Sequence, residues 1–390
     1  MVSGPRGGRR AERLEQRRAG RRRAALVAAS AVVAAGALVG TLVATGGPGP
    51  GRADTASSAS RVAPAPSLPP LSPSPVATEP SPSPSPTASP SKKPVKRPAP
   101  KARPATALYR HPDTQVREWV GAHRDDPRRP VIESRIAARP EAVWFDAYDP
   151  GSITGEVRSV TSRAAAAGRT AVLVPYVIPQ RDCGGASDGG APDLAAYDGW
   201  IRNFARGLGS REVIVILEPD AIAENECLDA AQRAARYASL ARAGRTLHAA
   251  DPAAKVYFDG GHSGWNSATK QAGLLRAADA AGSSDGIFTN VSNFHRTTDE
   301  ARYARAVLAA LGGPARLGAV IDTSRNGNGA PPGDQWCDPA GRALGQAPTT
   351  RTGEARIDAY LWVKSPGESD GCKGAAGSFT ADYAYELATG

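Results

Sequence analysis

The chain has no CxxC pair among its four cysteines, no HExxH among its five histidines and no GxxxxGK[ST] loop. The first two absences remove the usual zinc spacings, and the third removes the phosphate cradle of nucleotide hydrolases. No GxGxxG follows a strand-like run, so a dinucleotide fingerprint is missing as well. The stretch GGHSGW approaches a serine-hydrolase elbow, but Trp265 stands where GxSxG needs its closing glycine. Positive charge is also scarce where the chain can fold. Residues 1–106 hold 17 Lys/Arg against 4 Asp/Glu, which leaves 31 against 34 for residues 107–390. The alkaline pI of 9.6 therefore belongs to the N-terminal quarter, and a basic nucleic-acid-binding domain is excluded.

That first quarter divides into three. An Arg-rich segment (1–23) precedes an uncharged apolar run (24–46), the arrangement of a secretory signal or of a single membrane anchor. The run approaches the ~20 residues that span a bilayer, but its Ala and Gly content weakens insertion; export is favoured, with an anchor as the alternative. Residues 47–106 are rich in Pro, Ser and Ala and cannot bury a core, so they are expected to form an extended, solvated linker. The four cysteines, Cys183, Cys227, Cys337 and Cys372, lie beyond it, and an even count behind an export signal suggests two disulfides.

Residues 107–390 alternate helical and strand-like patterns. VWFDAY (143–148), TAVLVPYV (170–177), VIVIL (213–217), KVYFDGG (255–261), GIFTN (286–290), LGAVIDTSR (317–325) and DAYLWVK (358–364) are apolar runs. Amphipathic segments such as 156–169, 194–208 and DEARYARAVLAAL separate most of them. This repeat of βαβ units predicts a parallel sheet, either doubly wound or closed, and its size and regularity favour a seven-stranded β/α barrel. The active site of such a barrel lies at the C-terminal ends of the strands.

Acids follow the apolar runs on six strands: Asp146, Asp182, Asp220, Asp259, Asp322, and Glu368 with Asp370. Any one of them has the plain reading of a helix cap or turn residue. Six together suit either a hard-metal site or glycoside hydrolysis. Trp144, Trp265 and Trp336 near the same ends favour the second, since indoles offer sugar rings an apolar face. Trp200 and Trp362 are assigned to core packing. Glu218, two residues before Asp220, is read as structural and paired to a nearby arginine, because Pro219 ends the strand's hydrogen bonding.

VPYVIPQRDCGGASDGGAP (174–192), VIVILEPDAI (213–222), VYFDGGHSGW, VIDTSRNGNG, QWCDP and LWVKSPGESDG, in that order, resemble the blocks of glycoside hydrolase family 6, the family of endoglucanases and cellobiohydrolases, over residues 108–390. The resemblance implies a distorted TIM-like barrel, disulfides Cys183–Cys227 and Cys337–Cys372, and inverting hydrolysis of β-1,4-glucan with neither cofactor nor metal. It implies Asp220 as general acid, Asp182 as its supporting carboxylate and Tyr176 pressing on the sugar at the cleavage point. Asp370 is implied as the candidate base, with Arg325 and Lys364 beside it suiting an ionised carboxylate; the alternative is that water relays the proton to Asp182. Trp144, Asp146, Asp259, His262, Trp265, Asn293, Arg325, Trp336, Lys364 and Glu368 match glucose-binding positions.

Departures from the family pattern are informative. Only RTTD separates NVSNFH from the next helix, and the segment after Trp336 is compact. Exo-acting members carry long insertions there, so an open cleft and internal cutting are expected. A cellobiohydrolase is the nearest alternative. A glucan-binding protein without catalysis is disfavoured by the joint presence of Asp182, Asp220 and Asp370. No separate carbohydrate-binding module is visible, which weakens the case for crystalline cellulose. The expected protein is a monomeric, secreted or surface-tethered endoglucanase.

Overall fold

The structure is a computed structural model that describes residues 107–333 and 335–390. The segments assigned above to 1–23, 24–46 and 47–106 lie outside the described residues. Among the described residues no helix is long and apolar enough to cross a membrane.

Seven strands form one sheet in sequence order: β1 (Val143–Phe145), β2 (Ala171–Pro175), β3 (Val213–Ile216), β4 (Lys255–Asp259), β5 (Gly286–Thr289), β6 (Gly318–Asp322) and β7 (Ile357–Leu361). Every neighbouring pair is parallel. The strands read as unbroken apolar runs because both faces are covered. Val172, Val174, Ile214, Ile216, Phe288, Val320 and Leu361 point into one cluster that fills the barrel lumen. Leu173, Val215, Val256, Phe258, Ile287, Ala319 and Ile321, one residue out of phase, pack under the helices. This strict period of two is broken once. Between β6 and β7 the register passes from Ala319↔Ile357 to Val320↔Ala359, leaving Asp358 as an extra residue. The bulge keeps Ile357 outside and Ala359 inside although they are two residues apart.

Helices α1 (Gln115–Ala122) and α2 (Arg129–Ile132), the latter running into a π-turn, precede the sheet. Between strands come α3 (Ile153–Ala166), α4 (Leu194–Ala205), α5 (Ala230–Ala250), α6 (Ala268–Ala277), the short α7 (Ala280–Ser283) and α8 (Thr297–Leu311); α9 (Ala381–Thr389) closes the chain. Their starts follow local chemistry. Asp193 caps α4 through Ala196 N–H, and Asp229 with Gln232 forms a reciprocal capping box on α5. Helix α3 begins three residues before the expected Glu156, because Asp149 Oδ1 takes the Gly151 and Ser152 amides and turns the chain early. It ends at Ala166, and Gly168 just beyond, at a φ of 64°, turns the chain out of the helix.

All seven expected strands are present, each shorter than its apolar run. The sheet does not ladder β7 to β1. Across that seam the Ala142 N–H donates to Trp362 O at 2.9 Å, and the Trp144 indole N–H donates to Val363 O at 2.7 Å. Val116, Val120, Ile132, Ile136, Trp362, Ala384 and Ala388 pack beside it, so both ends of the described chain plug the opening. The result is a distorted seven-stranded barrel with one unladdered side.

Candidate active site

Among the described residues ten non-glycine positions have positive φ, and all but Asp279 and Arg356 lie in loops leaving the C-terminal ends of strands. Such conformations cost roughly 1 kcal/mol or more each and concentrate where a fold holds side chains for use. Glu218 (φ 50°) and Asp220 (φ 68°) are among them, on either side of Pro219.

Glu218 is fully buried, and its carboxylate accepts the Val177 N–H at 3.2 Å and the Ile178 N–H at 3.0 Å. No arginine among the described residues comes within ion-pair distance of it; Arg181 and Arg236 act on it from farther off, and backbone amides hold it directly. The chain leaves β2 at Pro175, so these two amides have no strand neighbour and would otherwise be orphaned. Burial lifts Glu218 to about 7 against the pull of those amides. Asp220 is left partly exposed on the far side of the turn. The surrounding walls, then Asp259, Glu224 and Asp182, push its carboxyl well above the usual range and favour its protonated form.

Asp182 stands on a short 3-10 turn (Asp182–Gly184), and its Oδ2 accepts the Ser187 N–H at 2.5 Å. A Cβ on Gly185 would lie 2.8 Å from that carboxyl, so the glycine is required for the close approach. Cys183–Cys227 fastens this loop to the one after β3. Tyr176 is buried, edge-on to Trp144 with ring centroids 5.3 Å apart. Burial, then the neighbouring Asp220 and Asp182, push its phenol up, so it remains neutral.

On the other side Asp370 is held by two cations. Arg325, fully buried, places Nη1 2.7 Å from Asp370 Oδ2, and Lys364 Nζ lies 3.2 Å from Oδ1. Arg325 also donates to Ser292 O and stacks over Phe294 at 4.5 Å, which fixes its fork. Glu368 accepts the Gln115 side-chain amide at 2.6 Å, and burial lifts it to about 7. A second disulfide, Cys337–Cys372, closes the loop that carries Asp370. Trp336 stands at 58 % exposure, a large indole face open to solvent.

Between the two sides, His262 stacks on His295 with centroids 4.4 Å apart and lies 5.3 Å from the Trp265 ring. Burial, then His295, lowers His262 to about 3, so this imidazole is neutral. Asn293 donates to Val291 O, and Asp146 is exposed just past β1. Arg325, fully buried against Asp370, is one expected sugar contact that lies out of reach of solvent, and Asp259 is another. It is 1 % exposed, and its oxygens accept the amides of Ile222, Ala223 and Gly261 at 3.0, 2.7 and 2.8 Å. It supports the Asp220 loop from beneath. Asp322 does the same for three other loops, accepting amides from Ser292, Ser324, Val363 and Lys364. Trp200 and Trp362 are buried in the core. Among the described residues no group of His, Cys, Asp and Glu is placed to hold a metal ion.

Two residues without an assigned role join the site. Arg181 lies 4.6 Å over the Tyr176 ring and donates to the carbonyls of Tyr176, Asp146 and Ser187. Its position next to Asp182 was the available signal. Glu224 donates its N–H to Asp220 O at 2.8 Å, one turn after the acid, and burial followed by Asp182 raises its own carboxyl. The spacing of four in DAIAE is what marks it.

The model of glycosyl hydrolases family 6 matches residues 105–389. Endoglucanase 1 of Streptomyces sp. (strain KSM-9) is 53% identical over 290 residues, covering 74% of this chain and 80% of that protein. Endoglucanase A of Thermobispora bispora is 50% identical over 282 residues, 72% of this chain and 61% of its own length. The solved endoglucanase Cel6 of Mycobacterium tuberculosis, in complex with methyl-cellobiosyl-4-deoxy-4-thio-β-D-cellobioside, is 41% identical with a TM-score of 0.68, covering 73% of this chain and 97% of that one.

Proposed function

The chain belongs to glycosyl hydrolases family 6 and is a glycoside hydrolase, and from that premise we propose that it is an inverting endo-β-1,4-glucanase. The observation that carries this reading is the contrast between two carboxyls on the same barrel end. Asp220 is pushed towards its protonated form by its walls and by neighbouring acids, whereas Asp370 is ion-paired to Arg325 and Lys364. A carboxyl pushed towards its protonated form on one side and a carboxylate gripped by two cations on the other divide the roles of acid and base between them.

In the proposed mechanism Asp220 donates its proton to the glycosidic oxygen as the bond breaks. Asp182 favours that proton before transfer and faces the positive charge that develops on the sugar. Tyr176, neutral and braced by Arg181 and Trp144, bears on the ring at the cleavage point. The proton of the attacking water goes either directly to Asp370 or along a water chain to Asp182. Inversion needs room for that water, which implies an acid–base separation above ~6.5 Å. Trp144, Asp146, His262, Trp265, Asn293, Trp336, Lys364 and Glu368 line the glucan track, with the exposed Trp336 indole as a stacking platform. The relatives' endoglucanase names and the cellobioside bound to the mycobacterial enzyme support a β-1,4-glucan substrate. Helix α8 starting at Thr297, directly after the β5 loop, leaves the cleft unroofed there and supports internal cutting. Two disulfides suit an exported protein.

Proton NMR of the first-formed product tests inversion; an initial β-anomer would refute it. Viscosity against reducing ends on a soluble β-glucan tests the cut. Early viscosity loss supports internal cleavage, and cellobiose released at nearly constant viscosity would assign the cellobiohydrolase mode.

A further inference from the structure

QWCDP contributes a residue that the mechanism has not used. Asp338 is buried, with its side chain wholly out of solvent, and it adopts a φ of 44°. Its Oδ1 accepts the Asp370 N–H at 2.8 Å. Its Oδ2 accepts Ser369 Oγ–H at 2.5 Å, Cys372 N–H at 3.0 Å and Lys373 N–H at 2.9 Å. In return the Asp338 N–H donates to Asp370 Oδ2 at 3.2 Å. Each of the two aspartates thus takes the other's backbone amide. Asp338 Oδ1 also lies 3.8 Å from the Arg325 Nη1 that grips Asp370.

We propose that Asp338 is the positioning residue for Asp370, setting the loop, the carboxylate and the Arg325 fork in one geometry. The proposal rests on the reading of Asp370 as the base. The arrangement demands a carboxylate. Four donors converge on two oxygens, and the amide nitrogen of an asparagine would meet N–H groups where it needs an acceptor. The neighbouring Cys337–Cys372 bond holds the two loop strands together without fixing the direction of the Asp370 side chain. The reciprocal amide bonds do that. Arg325 and Lys364 bring two positive charges to the cluster, and Asp338 with Asp370 balances them. Without Asp338, Arg325 has one carboxylate to follow, and Asp370 moves with it. A displacement near 1 Å at a reacting group costs about 10²-fold.

The test is a double-mutant cycle on soluble β-glucan with the oxidised protein. D338N is expected to lower kcat by tenfold to about 100-fold with KM changed less than about twofold. In a D370N background the same substitution is expected to change kcat by less than about threefold, because the residue it positions is already disabled. S369A removes one donor and keeps both charges; it should lower kcat by about 3- to 10-fold and lose that effect in D370N. If D338N does not fold, as judged by loss of cooperative unfolding, the S369A cycle decides. Equal losses in both backgrounds, or full activity of D338N or S369A alone, overturn the proposal. Full activity of D370N alone removes the base reading, and the proposal with it.

Discussion

Glu218→Gln isolates the energetic cost of the buried carboxyl beneath the Asp220 turn. Glu218 goes from an ordinary 4.5 to about 7 on folding, a gap of about 2.5 pH units. At ~1.36 kcal/mol per unit this is about 3 kcal/mol of pH-dependent stability. The folded value is raised, so the unfolded chain gives up its proton first. Stability from this group is full below about pH 4.5 and is lost as pH rises through about 7. Glutamine removes the titration. It keeps one acceptor oxygen for Val177 or Ile178 and turns an amide towards the other N–H, a mismatch of roughly 1–3 kcal/mol at every pH. Urea unfolding of both proteins from pH 4 to pH 8 should show wild type ahead at pH 4. Its lead should shrink by about 3 kcal/mol by pH 8, enough to reverse the order. A difference that stays constant with pH, or one that grows, would show that the amides outweigh burial and that the reasoning is wrong.

Asp220→Asn should lower turnover on soluble cellulose-like polymers by at least ~100-fold, while a cellobioside with a highly acidic phenol leaving group, which needs no proton, should lose far less. Initial rates on the two substrates make the comparison. Glu224→Gln and Asp182→Asn should both move the basic limb of the pH–rate profile to lower pH, since each removes a negative charge that holds Asp220 protonated. The Glu224 change should move it at least as far, because Glu224 acts more strongly on Asp220 than Asp182 does; a limb that moves to higher pH would contradict this. Trp336→Ala should leave thermal stability within ~0.5 kcal/mol, given its 58 % exposure, and raise KM on polymeric glucan several-fold in initial-rate assays.

The strands were legible because both faces are buried, which writes β-branched runs into the chain with no polar alternation to confuse them. Their ends were not. After Pro175 the sequence stays apolar through Ile178, yet the chain has left the sheet, held by Glu218 from the end of the next strand. Asp259 shows the limit most clearly. An acid after VYF reads the same whether it enters the cleft or sits beneath a loop, and the choice is made by three amides, two of them in another loop. Glu218 drew an arginine on charge, where the orphaned amides of Val177 and Ile178 were the stronger claim. Asp370 between Arg325 and Lys364 was anticipated from resemblance alone, since no spacing joins residues 325 and 370.

The unladdered seam has a consequence for the order in which the molecule is assembled. Strands β1 to β7 pair in sequence order, so each can dock on its predecessor as the chain lengthens. The seam contacts instead join partners far apart: Trp144 with Val363 across 219 residues, Gln115 with Glu368 across 253, and Phe379 with Gln115 across 264. Contacts that close the largest loops form last. A chain that stops after α8 holds Tyr176, Asp182 and Asp220, but it lacks Arg325, Lys364 and Asp370 and leaves the β1 edge open. On the proposed roles, a chain that ends before Asp370 has the acid without its base, so hydrolysis waits for the C-terminal loop to be made and seated.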